Sequence, residues 1–153
     1  MKIELSLTSD YTREWGLWEG IREMVQNAKD GEIEHGASME HTFKNETLTL
    51  INRGVTLPRE ALLIGFSTKQ KNKDTLGQFG EGLKLGTLAL CRAGYTVNIR
   101  NGSETWTPSI ERSEKFDREV LVFHVRKRKK EDKDLSINIK GIPEDVWKSY
   151  KKN

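Results

Sequence analysis

The stretch of sequence that most directly indicates chemistry places three glycines within six residues, at Gly77, Gly80 and Gly82. The residues that follow predict a helix from Gly82 to Arg92. A glycine-rich turn that leads into a helix lets backbone N–H groups and the helix N-terminus point at one anion. Lys84 adds a positive charge near the start of that helix. The pattern predicts a phosphate site, with a plain glycine turn as the alternative, and its spacing differs from the dinucleotide and P-loop fingerprints.

A second group of polar residues lies upstream, on another predicted helix. Apolar residues recur at helical spacing between Trp15 and Lys29. Glu23, Asn27 and Asp30 fall within about 60° of arc, on nearly the opposite side of this helix. An amide oxygen such as that of Asn27 is a suitable ligand for Mg²⁺, and Glu23 can polarise a water for attack. The pattern is typical of a magnesium nucleotide site, and a solvated polar face is the alternative.

A third element lies between these two, where residues 47–51 predict a strand, Asn52 to Gly54 a turn, and Pro58 to Leu63 a short helix. In order and spacing, the three segments resemble the boxes of the GHKL ATP-binding superfamily. That superfamily includes the B subunit of DNA gyrase, the ninety-kilodalton heat-shock chaperone, mismatch-repair ATPases, histidine kinases and microrchidia ATPases. The residues around Gly77 are similar to the motif of the heat-shock chaperone, and those around Lys84 are more similar to the motif of the microrchidia type. The resemblance covers about residues 14–100.

The resemblance implies a role for each boxed residue. Glu23 would activate the attacking water, Asn27 would hold the magnesium ion, and Asp30 would line the adenine and ribose side. The backbone of Gly54 would approach the purine. The residues implied to begin the lid over the nucleotide, or to hold its phosphates, are Thr68, Lys69, Gly77, Gln78, Phe79, Gly80, Gly82, Leu83 and Lys84. ATP and Mg²⁺ are the implied cofactors.

The second box departs from the family pattern Asp-x-Gly-x-Gly, because Asn52 stands in place of the aspartate and Thr56 in place of the second glycine. The family aspartate accepts a hydrogen bond from the adenine amino group. The amide of Asn52 can accept or, if it rotates, donate, so we expect a weaker preference for adenine. Thr56 is expected to narrow the pocket. Ser136 is the candidate for the threonine that the family often carries near the adenine on a late strand.

The bulk properties are those of one compact intracellular domain, spanning residues 1–153. The chain is 35% hydrophobic and 32% charged, and its single cysteine, Cys91, lies in an apolar run. We therefore expect Cys91 to be a small core residue. The absence of a long apolar run predicts a cytoplasmic protein without a membrane segment. The three histidines show no metal-ligand spacing.

The net charge of +3 comes from 26 basic and 23 acidic residues, and the basic excess is local. Five consecutive basic residues, 126–130, lie between two strand-like runs, Glu119 to Val125 and Leu135 to Ile139. A solvated hairpin tip is the expected structure. Contact with nucleic acid is the alternative, although no aromatic residues interleave for base stacking.

The order of patterns predicts an α+β sandwich, with helices over one face of a mixed, mostly antiparallel sheet. This agrees with the Bergerat-type ATP-binding fold that the resemblance implies. The predicted helices are 12–31, 58–63, 82–92 and 143–150, and the predicted strands are 2–7, 39–43, 47–51, 95–100, 104–110, 119–126 and 135–140.

Three functions follow from these patterns. The first is a stand-alone, magnesium-dependent ATP-binding module, a slow ATPase that signals to a protein partner through a lid ordered by ATP. A stand-alone module is expected because no transducer or phosphoacceptor domain follows in the sequence. The second is a protein kinase like the small anti-sigma factors of the superfamily. The third is a binding or inhibitory module that has lost its nucleotide. The oligomeric state is left open.

Overall fold

The computed structural model describes residues 1–63 and 75–152, with every side chain in these ranges except those of residues 63 and 75–80. The strands among these residues are β1 (Lys2–Thr8), β2 (Met39–Lys44), β3 (Thr47–Asn52), β4 (Thr96–Asn101), β5 (Glu104–Ser113), β6 (Arg118–Lys127) and β7 (Leu135–Lys140). The helices are α1 (Leu17–His35), α2 (Glu60–Leu63), α3 (Thr75–Arg92) and α4 (Glu144–Lys151). All seven predicted strands are present, and the largest error in a strand end is at β5, which extends to Ser113 rather than Ile110.

The seven strands form one open sheet in the order β1-β6-β5-β4-β7-β3-β2. Every neighbouring pair is antiparallel. The predicted α+β fold with a mostly antiparallel sheet is therefore confirmed, whereas the expectation of a mixed sheet is wrong. The difference arises because each strand pairs with neighbours that run in the opposite direction, even where a long connection separates them in sequence. The Bergerat-type identity of the fold stays a prediction.

The two faces of the sheet differ in polarity, as strand alternation requires. Leu50, Ile137 and Ile99 lie on the face that packs against the helices, and each is at most 2% exposed. On the other face, Thr49 donates a hydrogen bond from Oγ1 to Asn138 Oδ1 across the β3–β7 pair at 2.8 Å. We call this polar side the open face. The helices therefore cover one face only.

Cys91 packs against the core as a partly buried free cysteine. Burial raises the pKa of its thiol to about 12. The residue is therefore an uncharged packing group at neutral pH, as its apolar neighbours in the sequence predicted.

The connection between β6 and β7 is not the predicted hairpin tip. β5 and β4 lie between these strands in the sheet, so residues 128–134 cross the sheet end past two strands. Arg128 holds this crossover to the β4–β5 turn, because its N–H donates to Ser103 O and its Nη1 donates to Gly102 O at 2.8 Å. Sequence order had suggested a hairpin because it does not reveal which strands become neighbours.

Arg92, the last residue of α3, fixes the backbone of the segment before α1. Its guanidinium donates to four backbone carbonyls, at distances of 2.6 to 3.1 Å. The acceptors are the carbonyl oxygens of Ser9, Tyr11, Thr12 and Trp15. Thr12 takes a left-handed φ of 48°, and its carbonyl also accepts from the N–H of Trp15 in a tight turn. This turn, held by Arg92, occupies the place where α1 was predicted to begin.

The ends of α1 are set by local signals. The N–H of Gly16, the N-cap residue, donates to Glu19 Oε1 at 2.7 Å. At the other end Gly36 takes a left-handed φ of 67°, which glycine adopts at little cost. The predicted end at Gly31 is wrong, because Gly31 is a buried residue inside the helix.

Helix α3 is longer than predicted, since it begins at Thr75 instead of Gly82. Gly77 and Gly80 therefore belong to helical backbone rather than to a turn. No helix in the described parts of the chain is both long enough and apolar enough to cross a membrane.

We expect Arg92→Lys to lower the free energy of unfolding by about 2 kcal/mol, because an ammonium cannot reproduce the planar fork that reaches four carbonyls. Urea unfolding followed by tryptophan fluorescence measures the change. Arg112→Lys is the matched control, since Arg112 and its partner Asp117 are both largely exposed, and its effect should stay below about 0.5 kcal/mol. Equal effects of the two substitutions would show that Arg92 does not fix the segment.

Candidate functional site

Helices α1 and α3 meet along a line of glycines. In chain order, this contact brings together the first of the three segments, which carries Asn27, and the third, which is rich in glycine. A Cβ atom built on Gly20 of α1 would lie 2.8 Å from Leu90 Cγ. One built on Gly86 of α3 would lie 3.0 Å from Met24 Sδ and 3.1 Å from the carbonyl oxygen of Gly20. These distances are well below ordinary contact between carbon atoms. Glycine at both positions is what allows the two backbones to approach so closely.

Asn27 lies at the end of this contact, where a Cβ on Gly82 would be 3.1 Å from Asn27 Oδ1. The Asn27 side chain is only 4% exposed, and its Nδ2 is a buried atom without a hydrogen-bond partner. None of the described residues hydrogen-bonds to Oδ1 either. Buried amides are normally paired, so Asn27 is the residue here whose polar atoms most clearly call for a further partner.

The second segment joins the same turn of α1. Asn52, at the end of β3, donates from Nδ2 to the carbonyl oxygen of Ala28 at 2.9 Å and to that of Ala37 at 3.4 Å. Ala28 directly follows Asn27 in the sequence. All three sequence segments therefore converge on one turn of α1, a convergence that sequence order alone does not guarantee.

These bonds also fix the amide of Asn52, which is only 2% exposed. Both partners are carbonyl oxygens and need a donor, so the NH₂ group must face them. Oδ1 then points elsewhere and can only accept. The sequence-based expectation that this amide turns freely between donating and accepting conflicts with the geometry.

Glu23 and Asp30 lie beside Asn27 on α1, and both are half-buried. Asp30 Oδ1 accepts a hydrogen bond from Gln26 Nε2 at 2.9 Å. The prediction that these residues lie nearly opposite the apolar face is wrong for Asn27. Because α3 packs on that side, the buried arc of α1 extends from Ile21 round to Asn27.

Two of the residues expected to line the phosphates are buried in the described structure. Leu83 is 0% exposed and belongs to the hydrophobic core. Lys84 is 3% exposed, and burial lowers the pKa of its ammonium while the nearby Glu81 carboxylate partly opposes that shift. Lys84 therefore lies inside the helical layer rather than as an exposed charge at a loop.

The helical start at Thr75 changes which N–H groups are free for an anion. The N–H groups of the first three residues of a helix lack partners within it, and here they belong to residues 75–77. Gly77 is among them, whereas Gln78, Gly80 and Gly82 lie further along. The structure does not show the predicted glycine turn that opens a helix at Gly82.

Thr68 and Lys69, the predicted start of the lid, lie outside the described residues. The side chains of Gln78 and Phe79 also lie outside the description. Their assigned roles stay predictions.

Gly54 of the second segment is braced by a residue that sequence reasoning missed. Its φ of 81° requires glycine. Its N–H donates to Asp134 Oδ1 at 3.0 Å, and Arg53 Nη1 donates to Asp134 Oδ2 at 3.0 Å. Asp134 comes from the crossover, eighty residues away in the sequence, and no local pattern could have identified it.

Thr56 was expected to narrow the nucleotide pocket, but its side chain lies beside the β4–β5 turn. Its Cγ2 lies 3.1 Å from where a Cβ on Gly102 would be. There it helps to line a polar cavity of about 390 Å³ together with Arg59, Glu104 and Lys133. Thr56 therefore packs against the β4–β5 turn.

Ser136 is excluded as a neighbour of Asn52 by the register of the sheet. It pairs with Ile51, so its side chain lies on the open face, whereas Asn52 faces the helices. The β7 residues on the helix-covered face beside Asn52 are Leu135 and Ile137, both apolar. The position of the family threonine is thus not filled by Ser136.

A metal ion here would have few protein ligands. The described residues contain no group of three or more histidine, cysteine, aspartate or glutamate side chains placed to hold one. Mg²⁺ commonly uses one or two protein oxygens and completes its shell with waters and phosphates. The single amide oxygen of Asn27, next to a glycine that leaves it room, fits that requirement.

No protein-family model matches the chain, and a search of curated proteins returns no match. Membership of the GHKL superfamily stays a prediction from the residues.

We expect Gly20→Ala to destabilise the protein by about 1 kcal/mol, although alanine favours a helix by about 1 kcal/mol over glycine. The new methyl group would overlap Leu90, at a cost of about 1–3 kcal/mol. Denaturant unfolding of Gly20→Ala, Leu90→Ala and the double variant forms a cycle. The double variant should be more stable than the sum of single effects by about 1 kcal/mol, because it removes the overlap. If the two single effects on the free energy of unfolding are strictly additive in the double variant, the new methyl group does not overlap Leu90.

Proposed function

We propose that the domain binds a magnesium-bound adenine nucleotide at the turn of α1 where α3 and the end of β3 converge, and that it hydrolyses ATP slowly. The observation that carries the proposal is Asn27, a side chain only 4% exposed whose amide nitrogen has no hydrogen-bond partner. A buried polar group left unpaired costs about 1–3 kcal/mol. A nucleotide oxygen that accepts from Nδ2 would remove that cost, and it would leave Oδ1 free to hold a cation.

The side chains around Asn27 have separate roles in this proposal. Asn27 would hold the cation through Oδ1, and a bound Mg²⁺ would neutralise charge on the phosphates. Glu23 lies one helical turn before Asn27 and is half-buried, so its carboxylate can take a proton from an attacking water. Asp30 would line the adenine and ribose side. The output would pass to a protein partner.

The first turns of α3 must change for phosphates to reach the backbone of Gly80 and Gly82, because N–H groups inside a helix are already bonded. Each glycine in a helix costs about 1 kcal/mol relative to alanine. Gly77 and Gly80 therefore make the N-terminal part of α3 inexpensive to unwind. In the proposed bound state these turns open into the glycine-rich loop, and Gly82 becomes the start of the helix.

Calorimetric titration with ATP, in the presence and absence of magnesium, tests the proposal. We expect binding that requires magnesium, with slow release of phosphate. Transfer of labelled phosphate to a protein, without release, would favour the kinase. If neither ATP nor ADP binds, the nucleotide proposal is overturned and a binding or inhibitory module is favoured.

We expect Glu23→Gln to lower the rate of ATP hydrolysis by about 10²- to 10⁴-fold and to leave ATP affinity nearly unchanged, because a general base acts mainly in the transition state. Single-turnover phosphate release and calorimetry separate the two quantities. Glu34→Gln, an exposed glutamate on the same helix, is the matched control. A similar loss of rate in both variants, or an unchanged rate in Glu23→Gln, would contradict the assignment.

We expect the domain to prefer ATP to GTP by about 10-fold or more, because Asn52 Oδ1 can accept from the adenine amino group but not from the carbonyl of guanine. Asn52→Asp should not improve this ratio. Its carboxylate would face the carbonyl oxygens of Ala28 and Ala37, and the lost hydrogen bonds should cost about 1–3 kcal/mol of stability.

Competition binding and thermal unfolding of both proteins measure these effects. A stable Asn52→Asp variant with a sharper preference for ATP would show that the amide is free to turn.

A further inference from the structure

Two arginines share one row of the open face at the end of the sheet. Arg100 of β4 pairs with Thr105 of β5, and Thr105 pairs with Arg126 of β6. Paired residues on neighbouring strands project from the same face, so both arginines lie on the open face, on strands about 10 Å apart. Both arginines are exposed.

The crossover extends this positive charge. Lys129 and Lys130 follow Arg126 along the chain, and both are exposed. Lys127 is also exposed, but it pairs with Glu104 and so projects from the helix-covered face. We call Arg100, Arg126, Lys129 and Lys130 the basic surface. None of these four side chains forms an ion pair with a described acidic residue.

The acidic residues that follow in the sequence do not cancel this charge, because two of them have other partners. Asp132 pairs with Arg128 at 3.2 Å. Asp134 pairs with Arg53 and accepts from the N–H of Gly54. Neither carboxylate is therefore paired with a residue of the basic surface.

Glu40 of β2 lies in the same open-face row as Arg100, three strands away, and it pairs there with Arg53 at 2.5 Å. The other acidic groups on the open face lie at its far end, where β5 finishes and β1 begins. Glu111 accepts from Ser109 and His124, which lowers the pKa of its carboxyl to about 2, and it lies 3.4 Å from Lys2.

Open-face positions with hydroxyl or amide side chains are Thr49, Asn98, Thr107, Ser136 and Asn138, and Val122 and His124 of β6 share this face. No open-face position of the described strands carries phenylalanine, tyrosine or tryptophan.

This surface has the features that suit a phosphate backbone. Clustered arginine and lysine release counterions from phosphates, and neighbouring hydroxyl and amide groups can donate to phosphate oxygens. Single strands are usually bound by stacking their bases on the side chains of phenylalanine, tyrosine or tryptophan, which are missing from the described strands of this face. We propose that the basic surface, with the adjoining part of the open face, binds the sugar-phosphate backbone of duplex DNA. This site lies on the face opposite the helices and is independent of the proposed nucleotide site.

Fluorescence anisotropy with a labelled duplex of about 16 base pairs tests the proposal in the absence of nucleotide and magnesium. If all four basic residues contact phosphates, the logarithm of affinity should fall with the logarithm of salt with a slope of about −3.6, measured between about 50 and 200 mM salt. The double variant Arg100→Gln, Arg126→Gln should reduce the magnitude of that slope by about 2, because two contacts are lost.

The matched control is Lys148→Gln, Lys151→Gln on α4, which also removes two positive charges. Helix α4 lies on the helix-covered side, where its Trp147 stacks on Phe43 with ring centroids 5.4 Å apart. Thermal unfolding confirms that each variant is folded. Unchanged DNA binding in the α4 variant supports the proposal. No binding at about 50 mM salt, equal loss in both variants, or tighter binding of a single strand or of duplex RNA would each overturn it.

Discussion

The close contact between α1 and α3 is the constraint on which the rest of the candidate site depends. The two helices can share one contact line only because Gly20 and Gly86 carry no side chains where their backbones meet. That contact encloses Asn27 and holds Gly82 against it. A wider helix separation would leave Asn27 in solvent, where its unpaired amide would bind water and would carry little functional information.

The glycines of the third segment therefore have two physical explanations that do not exclude one another. Gly82 and Gly86 are needed for packing against α1, a requirement that exists without a ligand. Gly77 and Gly80 lie in helical backbone of α3, where glycine brings an entropic cost. That cost makes these turns easier to unwind, as the proposed nucleotide-bound state requires.

Sequence patterns predicted the strands well because alternation is local and the sheet has one apolar and one polar face. They predicted helix ends less well, because periodicity does not reveal where a cap residue ends the helix or which distant groups hold the flanking segment. Arg92 holds the segment before α1 from eighty residues away, and the burial of Asn27 depends on where α3 packs. The crossover was misread for the same reason, since β6 and β7 look like hairpin partners until β5 and β4 pair between them. Of the candidate site, residue types were predictable and their burial was not.

Asn52 shows how a departure from a family pattern can be resolved by its surroundings. In sequence, an asparagine in place of an aspartate suggests relaxed recognition, because an amide can donate or accept. In the fold, the carbonyl oxygens of Ala28 and Ala37 take the NH₂ group, and only the oxygen is left for another partner. The asparagine then presents the same acceptor that an aspartate would, without placing a carboxylate against two carbonyls. The replacement is therefore compatible with the proposed adenine recognition. An amide suits this position because its NH₂ group donates to the two carbonyl oxygens.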